Sequence, residues 1–391
     1  MNSSVARLAT LAASKPYALV GGPFGSKLTS ADYLEEGVPV IRGSNLSGGR
    51  YLDETNFVYV SEQKVLEDLS GNLAGRGDVV FTQRGTLGQV AIIPDDSQFD
   101  TYVISQSQMK LSVDPQKANA RFIYYYFSSR DAIRKIINRN SSSGVPHINL
   151  TTLRNFPVPV PALREQQRIA DILSAYDDLI ENNRRRMALL KEAARMLYRE
   201  WFVHFRFPGH EHFKIVGGLP DRWERRKLGN ILTLKRGYDL PEAKRVSGEI
   251  PILSSSGVTG FHNQHKAPGP GVVTGRYGTL GEVYFIEEDY WPLNTALYVR
   301  DFKGSHPLFI FHLLTVLLKG IIAQKAAVPG VDRNVLHTMT VIWPPSSLRN
   351  SFVESVSDYQ DQLRVLGAMN QKLAHARDLL LPRLMSGEIA V

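Results

Sequence analysis

PVPVPALREQQRIADILSAYDDLIENNRRRMALLKEAARMLYREWF, residues 157–202, decides how this chain folds. Alternating prolines end a short strand, and a long stretch of good helix formers follows without another proline. Apolar residues recur at Ile169, Leu173, Tyr176, Ile180, Met187, Leu190, Ala194, Leu197 and Trp201, with Asn183 taking one place in the series. Steps of four and three alternate, the seam of a coiled coil rather than the wider stripe of a surface helix. Near the C-terminus, Phe352, Val356, Tyr359, Leu363, Leu366, Asn370, Leu373, Arg377, Leu380 and Leu384 repeat that alternation. Two such seams in one chain can bury themselves against each other. A seam asparagine is satisfied only opposite another polar group. With the helices antiparallel and Asn183 facing Asn370, Ile169 meets Leu384, Leu173 meets Leu380, Ile180 meets Leu373, Met187 meets Leu366 and Trp201 meets Phe352. Two helices packed independently on their own domains remain the alternative.

The rest of the chain repeats with the helices. DVVFTQRGTLGQV (78–90) aligns without a gap on GVVTGRYGTLGEV (271–283), and VPHINLTTLRNFPVPVP (145–161) matches VPGVDRNVLHTMTVIWPP (328–345) with one extra residue. Short strands are expected at 38–41, 78–81, 90–93 and 156–160, then at 250–253, 272–274, 283–286 and 340–343, separated by Gly, Pro, Asn and Ser clusters. Helical stretches are expected at 120–137 and 307–325. This predicts an α+β fold: two related domains with twisted, mostly antiparallel sheets, separated by two long helices in an antiparallel coiled coil, with pseudo-two-fold symmetry. The expected boundaries are 1–160 for the first domain, 161–210 for the first helix, 211–345 for the second domain and 346–391 for the second helix.

Composition removes several classes of function. The 391 residues include no cysteine, so disulfides, zinc–thiolate sites and cysteine nucleophiles are excluded. No apolar run is long enough to cross a bilayer and no signal-peptide pattern opens the chain, so a cytoplasmic location without membrane contact is expected. There are 46 Lys+Arg against 38 Asp+Glu, a formal charge of +8 spread along the chain without a basic tail, which permits DNA binding through folded faces and equally fits many basic enzymes. Nucleotide-binding P-loop, zinc-protease and nucleophile-elbow motifs are missing. Trp343-Pro344-Pro345-Ser346 lacks both the polar first and the aromatic last residue of an amino-methyltransferase loop. Pro94-Asp95 followed by Gln108-Met109-Lys110 is a chance-level match to a nuclease core. No catalytic residue and no metal ligand are expected.

The order of domain, helix, related domain and related helix resembles the specificity subunit of Type I restriction-modification systems. GGPFGSKL (21–28), GDVVFTQRGTLGQVAII (77–93), the segment from Pro157 to Gly209 with its EQQRIADIL and LYREWF, and LLLPRLMSGEI (379–389) carry the resemblance. It implies a non-catalytic subunit whose domains are target-recognition domains reading a bipartite, asymmetric site in double-stranded DNA. The helices would dock two methyltransferase subunits and, through them, restriction/translocase subunits. No cofactor would bind this chain; the partners would use S-adenosylmethionine, ATP and magnesium. The second EQQRI is degenerate, at LRNSFVESV (348–356), a departure from the family pattern that leaves the equality of the two docking surfaces open but not their existence. Two other classes remain open. One is a stand-alone methyltransferase or nuclease, which activity of the chain alone would reveal. The other is a protein-binding scaffold, whose DNA affinity would show no salt dependence.

Candidate DNA contacts follow from residue type and loop position. Arg84 and Thr86 lie in the QRGTLG turn, and Arg276, Tyr277 and Thr279 in its RYGTLG counterpart; arginine suits a phosphate or a guanine edge. The first domain adds Lys27, Arg42, Ser44, Asn45, His147 and Asn149. The second adds Arg236, Tyr238, Ser254, Ser255, His262, Arg333 and Asn334. Trp201, Phe202, Phe205 and Phe207 form either a docking patch or the closure between helix and domain, and Arg184-Arg185-Arg186 an exposed helix face.

Overall fold

The computed structural model describes residues 4–46, 49–139, 145–276, 281–324 and 332–391. The chain divides into two compact units, Met1–Asn183 with Gly367–Val391, and Arg184–Leu366. Each unit takes part of both long helices, Leu163–Phe202 and Ser346–Ser386. The compact units are therefore discontinuous in sequence.

In the first unit, one sheet has the order Leu19–Gly21, Gln108–Leu111, Val79–Thr82, Val90–Ile92, antiparallel throughout. Val79–Thr82 is buried at every position, which is why it reads as a continuous run rather than an alternation. A second sheet orders Val58–Val60, Val38–Ile41, Thr101–Ile104 and Leu73–Gly75, with a parallel pairing of the middle two. Ser4–Arg7 and Pro157–Val160 form a separate two-stranded ladder. Pro157 and Pro159 fall at alternate positions there, so both missing N–H groups lie on one side of the strand.

The second unit repeats this plan. Thr233–Arg236, Ala296–Asp301, Gly271–Gly275 and Val283–Ile286 make its antiparallel sheet. Gly257–His262, Ile250–Ser254 and Trp291–Pro292 make the mixed one, again with one parallel pairing. Glu224–Lys227 pairs with Thr340–Trp343. The duplicated order of elements confirms that the sequence repeat is a repeat of folded units. Among the described residues, no helix is long and apolar enough to cross a membrane.

The stretch 120–137 is two helices, Ala120–Ser128 and Arg130–Ile137, rather than one. Ser129 separates them in an extended conformation: its Oγ accepts from the Ala132 amide (3.2 Å) and donates to the Tyr126 carbonyl (2.6 Å). A serine that caps a helix this way competes with helix continuation. The matching Pro307–Gln324 runs unbroken.

Within the first unit the long helices meet as the seam predicts. Asn183 Nδ2 donates to Asn370 Oδ1 at 2.9 Å, and Asn370 Nδ2 donates to the Ile180 carbonyl at 3.3 Å. Ile169, Ala170 and Leu173 share a core with Leu381 and Leu384, Leu380 packing at its edge. Arg377, a charge in the seam, is neutralised by Asp177 (2.5 Å), whose other oxygen accepts from the Tyr125 hydroxyl (2.6 Å). Buried Arg50 reaches the same place, donating to the Tyr125 hydroxyl and the Ser174 carbonyl and pairing with Asp178. This network fastens the body of the first unit to both helices.

In the second unit the two helices are joined by rings. Tyr198, Trp201 and Phe202 face Phe352 at centroid distances of 5.5, 5.9 and 5.2 Å. Phe205 and Phe207 pack on Trp223. The aromatic cluster is thus the closure between helix and domain. His312 is buried among Tyr198, Phe311 and Phe352, and burial pushes its pKa down to about 4.

Two predictions follow. Asn370→Ala leaves the Asn183 amide buried without its partner and costs about 1–3 kcal/mol in urea denaturation. Replacing both asparagines by leucine restores that loss, because no polar group is stranded; a single substitution without cost would contradict the pairing. The second concerns pH. As pH falls through about 6.5 the unfolded chain protonates at His312 before the folded one does. The histidine's contribution is intact above that pH and is lost progressively down to about 4, by about 3 kcal/mol in all. His312→Phe removes that increment from the pH dependence of the denaturation midpoint; an unchanged profile would exclude it.

Candidate nucleic-acid interface

Four loops of the first unit are tied together by main-chain bonds. The Gly22 amide donates to the Gln108 carbonyl (2.8 Å), and a Cβ on Gly22 would lie 1.9 Å from the Ser105 carbonyl oxygen, so only glycine fits there. The amides of Gln83 and Arg84 donate to the Ser107 carbonyl at 2.7 and 3.3 Å. The Gln83 carbonyl accepts from the Ile148 amide (3.0 Å), the Gly85 amide donates to the Pro146 carbonyl (3.0 Å), and Arg84 bridges His147 in antiparallel pairing. Gln106 Nε2 donates to the carbonyls of Gly25 (2.7 Å) and Leu28 (2.8 Å). Lys27, Arg84, Thr86 and His147 are thereby brought onto one connected set of loops. The first three are exposed, His147 half-buried.

The second unit builds the same frame with different side chains. The Gly237 amide donates to the Ala296 carbonyl (3.1 Å), and a Cβ there would lie 2.2 Å from the Leu293 carbonyl oxygen. The Arg276 amide donates to the Thr295 carbonyl (3.0 Å), as Gln83 does to Ser107. Asn294 occupies the place of Gln106, its amide nitrogen bonding the Asp239 carboxylate. Arg236 is exposed and donates from Nε to the Asn294 carbonyl (3.3 Å). The half-buried Tyr238 has its hydroxyl pKa lowered by the hydrogen bond from Lys235 Nζ (3.0 Å).

The expected contacts divide accordingly. Asn45 is buried, accepting from the Arg42 amide (2.9 Å) and donating to the Asp53 (3.0 Å) and Thr55 (3.1 Å) carbonyls, so it shapes the loop from within. Ser254 is buried in the turn closed by Ser256 and Gly257. His262 is buried beside Trp291, its Nδ1 near the amide (3.0 Å) and carbonyl (3.1 Å) of Val246. These three do not project from their loops, contrary to expectation. Arg42 is half-buried, its Nη2 donating to the Asn56 carbonyl (2.9 Å). Asn149 is exposed but spends Oδ1 on capping Leu150–Arg154 through Thr152. Ser44, Arg333 and Asn334 are exposed, while Ser255 and Arg276 are half-buried. Tyr277 and Thr279 lie outside the described residues. Sequence reasoning missed Gln106 and Asn294; their only signal is a carboxamide at matching places in the two repeats.

The profile of the Type I restriction modification DNA specificity domain matches residues 25–192 and again 220–368. The chain belongs to this family. Among curated relatives, the Type I restriction enzyme MjaIX specificity subunit of Methanocaldococcus jannaschii is 23% identical, covering 92% of this chain and 88% of the relative. A second protein of that organism, described as a putative Type I restriction enzyme MjaX specificity subunit, is 29% identical over 91% of this chain and 88% of its own length. In fold, the chain is similar to a crystal structure of a Type I restriction-modification S subunit from M. genitalium. The TM-score is 0.56 at 19% identity, over 98% of this chain and 96% of that one. The family's DNA-specificity role directs attention to the two loop sets described above.

Arg84→Ala and Arg276→Ala separate two kinds of contact. Loss of a base contact costs about 1–3 kcal/mol in duplex affinity and relaxes one target position. Loss of a phosphate contact weakens binding evenly across sequences and lowers the salt slope by about one. Quantitative binding across a salt series distinguishes them; unchanged affinity in both variants would remove these turns from the interface.

Proposed function

We propose that this chain is the non-catalytic DNA-recognition subunit of a Type I restriction-modification complex, with one unit reading each half of a bipartite, asymmetric site. One observation carries the reading: the same glycine-and-carboxamide frame occurs twice, holding different side chains. A shared frame with unlike loops suits two readers of unrelated half-sites. In the first unit Lys27, Arg84, Thr86 and His147 are offered to the duplex, with Arg42, Ser44 and Asn149 at the margin. In the second, Arg236, Tyr238, Ser255, Arg276, Arg333 and Asn334 are the corresponding set, with Tyr277 and Thr279 of the paired turn.

The chemistry belongs to other polypeptides. Two methyltransferase subunits would dock on the long helices and bring restriction/translocase subunits with them. The exposed apolar residues Ile172, Leu179, Leu189 and Met196 of the first helix and Val365, Met369 and Leu379 of the second support such docking. S-adenosylmethionine, ATP and magnesium would be bound by those partners, and the complex would work in the cytoplasm.

The test is a map of methylated positions in the host genome with and without this chain, followed by exchange of residues 1–155 for another first domain. The expected result is a bipartite motif that disappears with the chain and changes in one half on exchange. Methyl transfer by the purified chain alone, or a change in both halves on exchange, would overturn the proposal.

A further inference from the structure

Phe24 is 79% exposed on the loop that carries Lys27. A lone exposed phenylalanine needs no explanation by itself. What sets this one apart is that its loop is built to keep it outside. On one side Gly22 is locked against the Ser105 carbonyl, where no side chain fits. On the other, Gln106 holds the Gly25 and Leu28 carbonyls, Leu28 is buried, and Gly25 takes the left-handed φ of +62° that turns the chain. Phe24 itself is extended, with φ −93° and ψ 150°. Pinned at both ends, so short a loop cannot fold the ring back onto the protein.

The duplicated frame gives the position its meaning. Gly22 corresponds to Gly237 and Gln106 to Asn294, so Phe24 corresponds to Asp239, beside Tyr238. One frame thus presents an apolar ring in the first unit and a carboxylate in the second. Lys27 follows on the same loop, and Gly21 at the start of that loop lies beside the turn of Gln83, where a Cβ on Gly21 would be 3.3 Å from Gln83 Oε1. An apolar ring rigidly displayed among basic and amide-bearing loops matches the apolar features of a duplex, the thymine methyl edge and the faces of stacked bases.

We propose that Phe24 is a specificity-determining residue of the first half-site, making an apolar contact with its bases, and that Gln106 is its positioning residue. This rests on the DNA-recognition reading above. The experiment uses the full chain in complex with its methyltransferase subunits and selects binding sites from a random duplex pool. Phe24→Ala is expected to lose about 5- to 150-fold in affinity for the wild-type site and to relax one position of one half-site. The other half-site serves as the internal control for folding. Gln106→Ala relaxes the same position, and the double variant loses little more than Phe24→Ala alone. Deoxyuridine in place of thymine at that position weakens wild type but not Phe24→Ala when the methyl edge is contacted. A rise in 2-aminopurine fluorescence there marks insertion between bases instead. A Phe24→Ala complex that selects the wild-type motif with wild-type affinity overturns the proposal and leaves the DNA reading standing. A wild-type complex that selects no motif overturns both.

Discussion

The hydrogen bond from Asn183 to Asn370 is the constraint on which the pairing of the two long helices in the first unit depends. A seam of leucines and isoleucines tolerates sliding by a heptad, because one apolar layer replaces another at small cost. A pair of amides does not: a slip by one heptad separates them and leaves at least one facing an apolar residue. Once those two residues are opposed, the direction and register of the helices follow. The C-terminal Leu381 and Leu384 then reach the core around Ile169 and Leu173 in the first unit. Phe352 and Val356 likewise share the second unit's core with Tyr198 and Trp201.

The two units anchor the helices by different chemistry. The first uses the Arg50–Tyr125–Asp177–Arg377 network, the second a layer of rings around His312 and Phe352. A charged group placed in the ring layer would be stranded in a dry site, so the difference distinguishes two otherwise related partners. The loops follow the opposite logic. Their frame is nearly identical, and the side chains it carries diverge. The repeated parts thus carry the stabilising contacts, and the variation falls on the side chains of the loops.

Much of the fold was legible because it rests on periodicity and turn chemistry. Val38–Ile41, Val283–Ile286 and Thr340–Trp343 form as strands at the expected residues, and both long helices begin within two residues of expectation but end sooner, at Phe202 rather than 210 and at Ser386 rather than 391. Val79–Thr82 starts one residue late because Asp78 closes a turn, exchanging bonds with Gly75. The break at Ser129 was hidden, since a serine in an apolar helical pattern looks alike whether it caps or merely sits in the helix. The interface was legible only as a set of loops. Asn45, Ser254 and His262 share residue type and loop position with true surface groups, and only tertiary contacts show that they face inward. Gln106 and Asn294 were invisible for the complementary reason: their partners lie far away in sequence, at Gly25 and Leu28 for one and Asp239 for the other.

The absence of native cysteine makes the central claim directly measurable. Asn183→Cys with Asn370→Cys places two thiols at the layer where the two asparagines meet. Under mild oxidation the full chain should form that intramolecular bond nearly completely, whereas Asn183→Cys with Leu363→Cys or Arg377→Cys, one heptad away, should stay reduced. Equal cross-linking in the displaced pairs, or none in the central one, would contradict an antiparallel coil in the register that opposes residues 183 and 370.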